Sequence, residues 1–261
     1  MKKLLALAMT LVMAVTVFTA CGSQKKGMLL EDGVLSVGVE IGYPPMEMQA
    51  ADGKTYEGYD IEMMNEIGKR TGLKVNFVNT AFDGIFKGID KNYDVVCSCI
   101  TITKERKKTM LFSDPYMDNF QTVVVKKGSK IKVNSFNDLE GLTIGLQEGT
   151  TSKEIMDDLI GTKTLKKAKY IQNEKVTNCF KQLKQGEVDA VLVDSIVAVN
   201  QIKEDKDVEV AWNDTEKPEK IGIAMGKTNT ELQKKINKAL KEMEDDGFFK
   251  ELNNRWFPNV K

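Results

Sequence analysis

Three stretches place residues able to grip a charged small molecule at the ends of apolar runs. Asp94–Arg106 reads DVVCSCITITKER, a buried strand running out into Thr101, Thr103 and Arg106. Ligands of open α/β sheets bind just beyond the carboxyl ends of strands. A threonine hydroxyl and an arginine fork at that point can hold a carboxylate, because guanidinium matches carboxylate in a bidentate way. The alternative is an arginine on a solvated helix face. Gly149-Thr150-Thr151-Ser152 lies between an expected strand, Leu142–Leu146, and a helix beginning at Ser152. Free N–H groups at a helix start attract anions, although the hydroxyls could simply cap the helix. Asp189–Asp194 reads DAVLVD, and Asp194 ends a buried strand. It can pair with a cationic group or N-cap the helix from Ser195. Tyr43 and Phe82 stand at loop-to-helix junctions, where aromatics wall a pocket or fill the core. Two carboxylate-holding elements, one ammonium acceptor and aromatic walls are complementary to an amino-acid backbone.

The elements that must position these residues are legible in the hydrophobic pattern. Leu35–Glu40 alternates and is β-branched, hence a strand. Tyr43-Pro44-Pro45 breaks it, and residues 52–57 carry a turn signal. Ile61, Met64 and Ile67 make a helical stripe that Asp60 can N-cap, ending near Thr71-Gly72. Strands follow at Lys74–Val78, Asp94–Cys99, Gln121–Val125, Leu142–Leu146, Ala190–Val193 and Ile221–Met225. Helical patterns follow at Phe82–Ile89, Lys104–Lys108, Phe136–Leu139, Ser152–Leu159, Val176–Lys184, Ser195–Lys203, Thr230–Asp245 and Phe248–Trp256. Alternation of this kind predicts α/β units with mostly parallel sheets. The order of pieces predicts two lobes, with a break at Glu216-Lys217-Pro218.

Composition removes several functions. Lys+Arg and Asp+Glu each number 38, which lacks the basic excess of a nucleic-acid binder. Histidine is absent, so Ser-His-Asp and Cys-His nucleophile systems are excluded, along with the commonest transition-metal ligand. Besides Cys21, the cysteines are Cys97, Cys99 and Cys179, an odd set that cannot complete a disulfide framework. Cys97 and Cys99 would share one side of a strand. No further Cys or His cluster completes a metal site with them, so they are expected to be buried small apolar side chains.

The N-terminus carries an address. Lys2 and Lys3 precede an apolar run, Leu4 to Phe18, then Thr19, Ala20 and Cys21. A basic start, a short apolar core and small residues before a cleavage point make a secretion signal. The run is short of the roughly 20 residues that span a bilayer. The pattern resembles a lipobox, with Phe18 where Leu is usual, and implies that Cys21 receives a diacylglyceryl group as the first mature residue. Residues 1–20 would be removed, and 21–32 would be anchor and flexible linker. What remains of the 261 residues is enough for two lobes of roughly 100 residues each.

Several ordered motifs resemble bacterial extracellular solute-binding proteins for polar amino acids, the receptors of ABC importers. They are Val37–Met46 (VGVEIGYPPM), Gly58–Glu62 (GYDIE), Phe82–Ile85 (FDGI), Thr101–Lys107 (TITKERK), Phe112–Tyr116 (FSDPY), Gln147–Thr151 (QEGTT), Asp189–Asp194 (DAVLVD) and Gly247–Trp256 (GFFKELNNRW). The resemblance implies a type II periplasmic-binding-protein-like fold, two α/β lobes joined by two hinge strands. Lobe one would be 33–118 plus 221–261, lobe two 123–216, with hinges near 119–122 and 217–220. It implies that Arg106 grips the ligand α-carboxylate, helped by N–H groups at Thr101 and Thr151. Asp194, the Thr101 hydroxyl and the Cys99 carbonyl would hold the α-ammonium. Tyr43 and Phe82 would wall the side-chain pocket, with Glu40 and Gln147 also at the site. Glu40 hints at a polar or cationic ligand side chain. Met46, Phe82 and Cys99 stand where the family usually has Phe, Trp and a smaller residue.

The implied function is an extracytoplasmic, lipid-anchored receptor. It would be a monomer, without catalytic residues, metal or cofactor, and would deliver its amino acid to a membrane permease. Two alternatives share the fold: a cyclohexadienyl dehydratase acting on prephenate or arogenate, and a sensor ectodomain.

Overall fold

The structure is a computed structural model that describes residues 27–258. The secretion signal, Cys21 and the first part of the linker lie outside the described residues. Among the described residues, no helix is long and apolar enough to cross a membrane.

In chain order the first half holds strands β1 (Val34–Val39), β2 (Met48–Gln49) and β3 (Tyr56–Glu57), helix α1 (Tyr59–Thr71), β4 (Lys74–Asn79), β5 (Val95–Val96), α2 (Arg106–Thr109), β6 (Met110–Phe112) and β7 (Met117–Asn119). Next come β8 (Gln121–Lys126), β9 (Thr143–Gln147), α3 (Thr151–Gly161), β10 (Lys169–Asn173), α4 (Val176–Gln185), β11 (Ala190–Asp194), α5 (Ser195–Glu204) and β12 (Val208–Asn213). The chain ends with β13 (Glu219–Ile221), β14 (Ala224–Gly226), α6 (Thr230–Asp245) and α7 (Phe248–Trp256).

Two five-stranded sheets form the two lobes, ordered β4-β1-β5-β14-β6 and β10-β9-β11-β8-β12. Each begins with three parallel strands and ends with two antiparallel pairings. The expectation of mostly parallel sheets is therefore corrected. The crossover units build parallel pairs, but β8 and β14 each enter a sheet after passing between the lobes, and they arrive running the other way. The two crossings pair with each other, β7 with β13, as a short antiparallel ladder in which Asn119 faces Glu219.

Local sequence explains most elements. β1 is buried along nearly its whole length, as expected of a strand flanked on both sides by parallel partners. In α1, Ile61, Met64 and Ile67 are all buried. Its start differs from expectation. Gly58 is the N-cap, with φ 137°, and no side chain caps the helix. A β-carbon there would lie 2.2 Å from the Met46 carbonyl oxygen. Asp60 falls inside the first turn and turns inward, accepting hydrogen bonds from the Cys99 N–H and the Tyr116 hydroxyl, both at 2.8 Å.

Three further expectations change. The buried strand expected over Asp94–Cys99 pairs only at Val95-Val96, and Cys99 takes φ 50° and turns the chain; Cys97 and Cys99 therefore do not share one side of a strand. Phe82–Ile89 forms only a short 3-10 turn, Ile85–Gly88. Ile221–Met225 is split into two strands. β2, β3, β6, β7, β10 and β12 were not anticipated; they are short, or rely on partners elsewhere in the chain.

Candidate functional site

The cleft between the lobes collects most of the singled-out residues. Tyr43, Phe82, Cys99, Thr101, Arg106, Thr151 and Asp194 line it, together with Ser98 and Thr150. The enclosed space is about 10 Å³, room for a single water. Glu40 and Gln147 do not line that space. They lie beyond Ser98, whose hydroxyl oxygen accepts the Glu40 N–H at 3.1 Å.

Arg106 opens α2, and its side chain is buried. Nη1 donates to the Thr101 carbonyl at 3.0 Å and Nη2 to the Gly149 carbonyl of lobe two at 3.2 Å. The guanidinium also stands over the Phe86 ring, 5.1 Å from its centre. The solvated-face alternative is thus excluded. Burial draws its pKa down, while the carboxylates of Glu154, Glu219 and Asp194 act to raise it. A cation held this way keeps its fork available to an anion in the cleft.

Asp194 lies at the opposite charge pole. It ends β11 and occupies the N-cap position of α5, yet makes no capping bond. Its carboxylate instead accepts from Tyr43 Oη at 2.6 Å, Asn119 Nδ2 at 2.7 Å and Gln121 Nε2 at 3.0 Å. Cys99 Sγ is 3.8 Å away. Burial, then the charge of Glu219, pushes its pKa up to about 6, against the opposing pull of its hydrogen-bond donors and Arg106.

At the α3 start, Thr150 is the N-cap and accepts the Lys153 N–H. Thr151 does not cap; its hydroxyl oxygen accepts from Gln121 Nε2 at 3.2 Å. Gln121 in turn accepts from Ser152 Oγ at 2.7 Å. The α3 terminus is thereby stitched to β8 and aimed at the cleft.

A further bridge between the lobes is Gln147 Nε2 donating to Glu40 Oε2 at 2.7 Å. Both side chains are buried. Glu40 Oε1 and Gln147 Oε1 find no hydrogen-bond partner. Burial lifts the Glu40 pKa to about 7, opposed by Gln147 and by the Lys175 ammonium. Lys175 is exposed and donates to the Ile41 carbonyl. Behind Ser98 lies Glu47, fully buried, which accepts the Ser98 hydroxyl at 2.6 Å. Burial and the charge of Asp60 hold Glu47 well above the usual carboxylate range.

Sequence reasoning missed Asn119, Gln121, Glu219, Ser98 and Glu47. Gln121 begins an apolar strand, where an amide is out of place and so was a readable signal. Glu219 sits in the charged run Glu216–Lys220, which resembles a solvated break. Cys97, Cys99 and Cys179 are buried and unpaired. Burial keeps Cys97 and Cys99 far above the ordinary thiol range and Cys179 at about 12, so none of them is a ready nucleophile.

The chain is similar to known proteins over most of its length. The L-cystine-binding protein TcyJ of Escherichia coli K12 is 31% identical over 254 residues, covering 97% of this chain and 92% of the relative. The arginine-binding extracellular protein ArtP of Bacillus subtilis is 33% identical over 248 residues, 93% of each chain. A solved structure of an ancestral arginine-binding protein bound to arginine superposes with a TM-score of 0.80 and 37% identity, covering 86% of this chain and 98% of that one. The model of the bacterial extracellular solute-binding proteins, family 3, matches residues 35–259. Two sheet-containing lobes closing on a cleft charged at both ends, and that match over nearly the whole chain, place this protein in the bacterial extracellular solute-binding proteins, family 3.

Proposed function

We propose that the protein is an extracytoplasmic receptor that captures a polar amino acid in this cleft by lobe closure. The observation that carries the reading is the pair of opposite charges, Arg106 from lobe one and Asp194 from lobe two, both buried in one cleft. The α-carboxylate would meet the Arg106 fork, with the N–H groups of Thr101 and Thr151. The α-ammonium would meet Asp194, the Thr101 hydroxyl and the Cys99 carbonyl. Tyr43 and Phe82 would wall the side chain. A zwitterion joining the two poles binds the closed arrangement better than the open one, and that difference in affinity drives closure. Two hinge crossings, near 119–122 and 217–220, would carry the motion. The unpaired acceptors of Glu40 and Gln147 favour a donor-rich, cationic ligand side chain, since a buried acceptor left unmatched is destabilising.

In this reading the chain loses residues 1–20, is held at the outer face of the membrane through lipid on Cys21, and works as a monomer. It passes its amino acid to an ABC permease. The relatives are binding proteins rather than enzymes, and Asp194 suits an ammonium that prephenate lacks. Calorimetry tests the site. Arg106→Ala and Asp194→Asn should each weaken binding of the tightest amino acid by more than about 100-fold, the scale of unpairing a buried charge. Native affinity in either variant would overturn the assignment.

A further inference from the structure

The ladder between the crossings places a second carboxylate at the ammonium end. Glu219, the first residue of β13, directs Oε2 at Asn119 Nδ2 (2.9 Å), Gln121 Nε2 (3.1 Å) and Thr101 Oγ1 (3.3 Å). The same two amides donate to Asp194 Oδ1 at 2.7 and 3.0 Å. Asp194 and Glu219 are therefore held side by side by shared donors. Asn119 and Gln121 are fully buried and Glu219 is half-buried. Amide donors are dipoles and carry no net charge, so they orient the two carboxylates without neutralising them. After burial, the charge of Glu219 is the largest influence raising the Asp194 pKa. Among the described residues no cation donates a hydrogen bond to either carboxylate; Arg106 acts on both through its charge, while its fork is directed at the Gly149 and Thr101 carbonyls.

We propose that Glu219 is a second ligand-contacting carboxylate, so that the amino group of a bound amino acid is shared between Asp194 of lobe two and Glu219 of the crossing strand. The proposal rests on the reading of the cleft as an amino-acid site. Its consequence is that the ligand ties lobe two to the crossing itself as well as to lobe one, because Glu219 is bonded to Thr101 of lobe one and Asn119 of the other crossing.

Calorimetric titration of the native protein, Glu219→Gln and Glu219→Asp with L-arginine, L-histidine, L-glutamine and L-cystine tests this. The probe that the native protein binds best should lose roughly 10- to 100-fold in Glu219→Gln, the scale of one charge-assisted hydrogen bond. Glu219→Asp, which keeps the charge, should recover most of that loss. Native affinity in Glu219→Gln overturns the proposal. So does an equal loss in Glu219→Asp, which would make shape rather than charge the requirement. Should Glu219→Gln fail to fold, Glu219→Ala replaces it under the same thresholds. If the native protein binds none of the four probes, the amino-acid reading itself fails, and that result is distinct from the others.

Discussion

Lowering the pH should weaken binding of a cationic amino acid far more than binding of its neutral isostere. The structural basis is Glu40, whose pKa burial lifts to about 7. Below that pH the unliganded protein carries the carboxylic acid, because burial disfavours the carboxylate by more than the hydrogen bond from Gln147 favours it. A guanidinium or ammonium arriving beside Glu40 needs the carboxylate, so binding must expel the proton. Each pH unit below the pKa then costs about 1.4 kcal/mol, a factor of ten in affinity. From pH 7, where about half of the sites are already protonated, to pH 5.5 the loss for L-arginine is roughly 15-fold, or about 1.6 kcal/mol. L-citrulline has nearly the same shape and no charge, so it should not require that proton to leave. Asp194, with its pKa near 6, also titrates in this window, but it faces the α-ammonium of both ligands and cancels in their ratio. Lys175, from lobe two, acts on Glu40 to lower its pKa. The assay is calorimetry of both ligands from pH 5.5 to 8, repeated with Glu40→Gln. The arginine-to-citrulline affinity ratio should rise with pH in the native protein and stay flat in the variant. A flat ratio in the native protein would refute the argument, as would tighter binding of citrulline.

Other expectations follow from the same geometry. Glu40, Asp60 and Asp194 all have pKa values raised on folding, to about 7, 6 and 6. Their contribution to stability is present below the unfolded values and lost as pH rises through the folded ones. The unliganded melting temperature should therefore fall between about pH 4.5 and 7, and a scan that rises across this window contradicts the burial argument. Cys21→Ser should move the protein from the membrane to the soluble fraction with ligand affinity unchanged; retention on the membrane would rule out the lipid anchor. Gly58→Ala puts a β-carbon against the Met46 carbonyl at φ 137°. It should destabilise the fold by more than about 1 kcal/mol, and an unaltered melting temperature would show that the backbone there yields freely.

Much of the fold was readable because its signals are local. The stripe of α1, the amphipathic runs Thr230–Asp245 and Phe248–Trp256, and the apolar strands at Gln121 and Ala190 all follow from spacing alone, and the structure has them at or near those bounds. Elements that depend on partners were harder. β10 and β12 are half-exposed strands with weak alternation, and their pairing with β9 and β8 supplies what their own residues do not. Asp60 shows the limit clearly. Its position before a helical stripe suits a cap, but a buried N–H at Cys99 and a tyrosine at 116 claim its oxygens instead.

The site divides in the same way. Residue type and position at strand ends were enough to single out Arg106 and Asp194, which the structure buries in one cleft, since charge is a property of the side chains themselves. Which groups meet was decided by the tertiary structure. Tyr43 reaches Asp194 across 151 residues and Gln147 reaches Glu40 across 107. Glu219, in a charged run that looks solvated, comes to share the amide donors of Asp194 only because two crossing strands pair. Desolvation is likewise a property of the assembled lobes. A carboxyl group's composition is written in the chain, but the pKa at which it works is set by the water and the neighbours that folding removes or brings near.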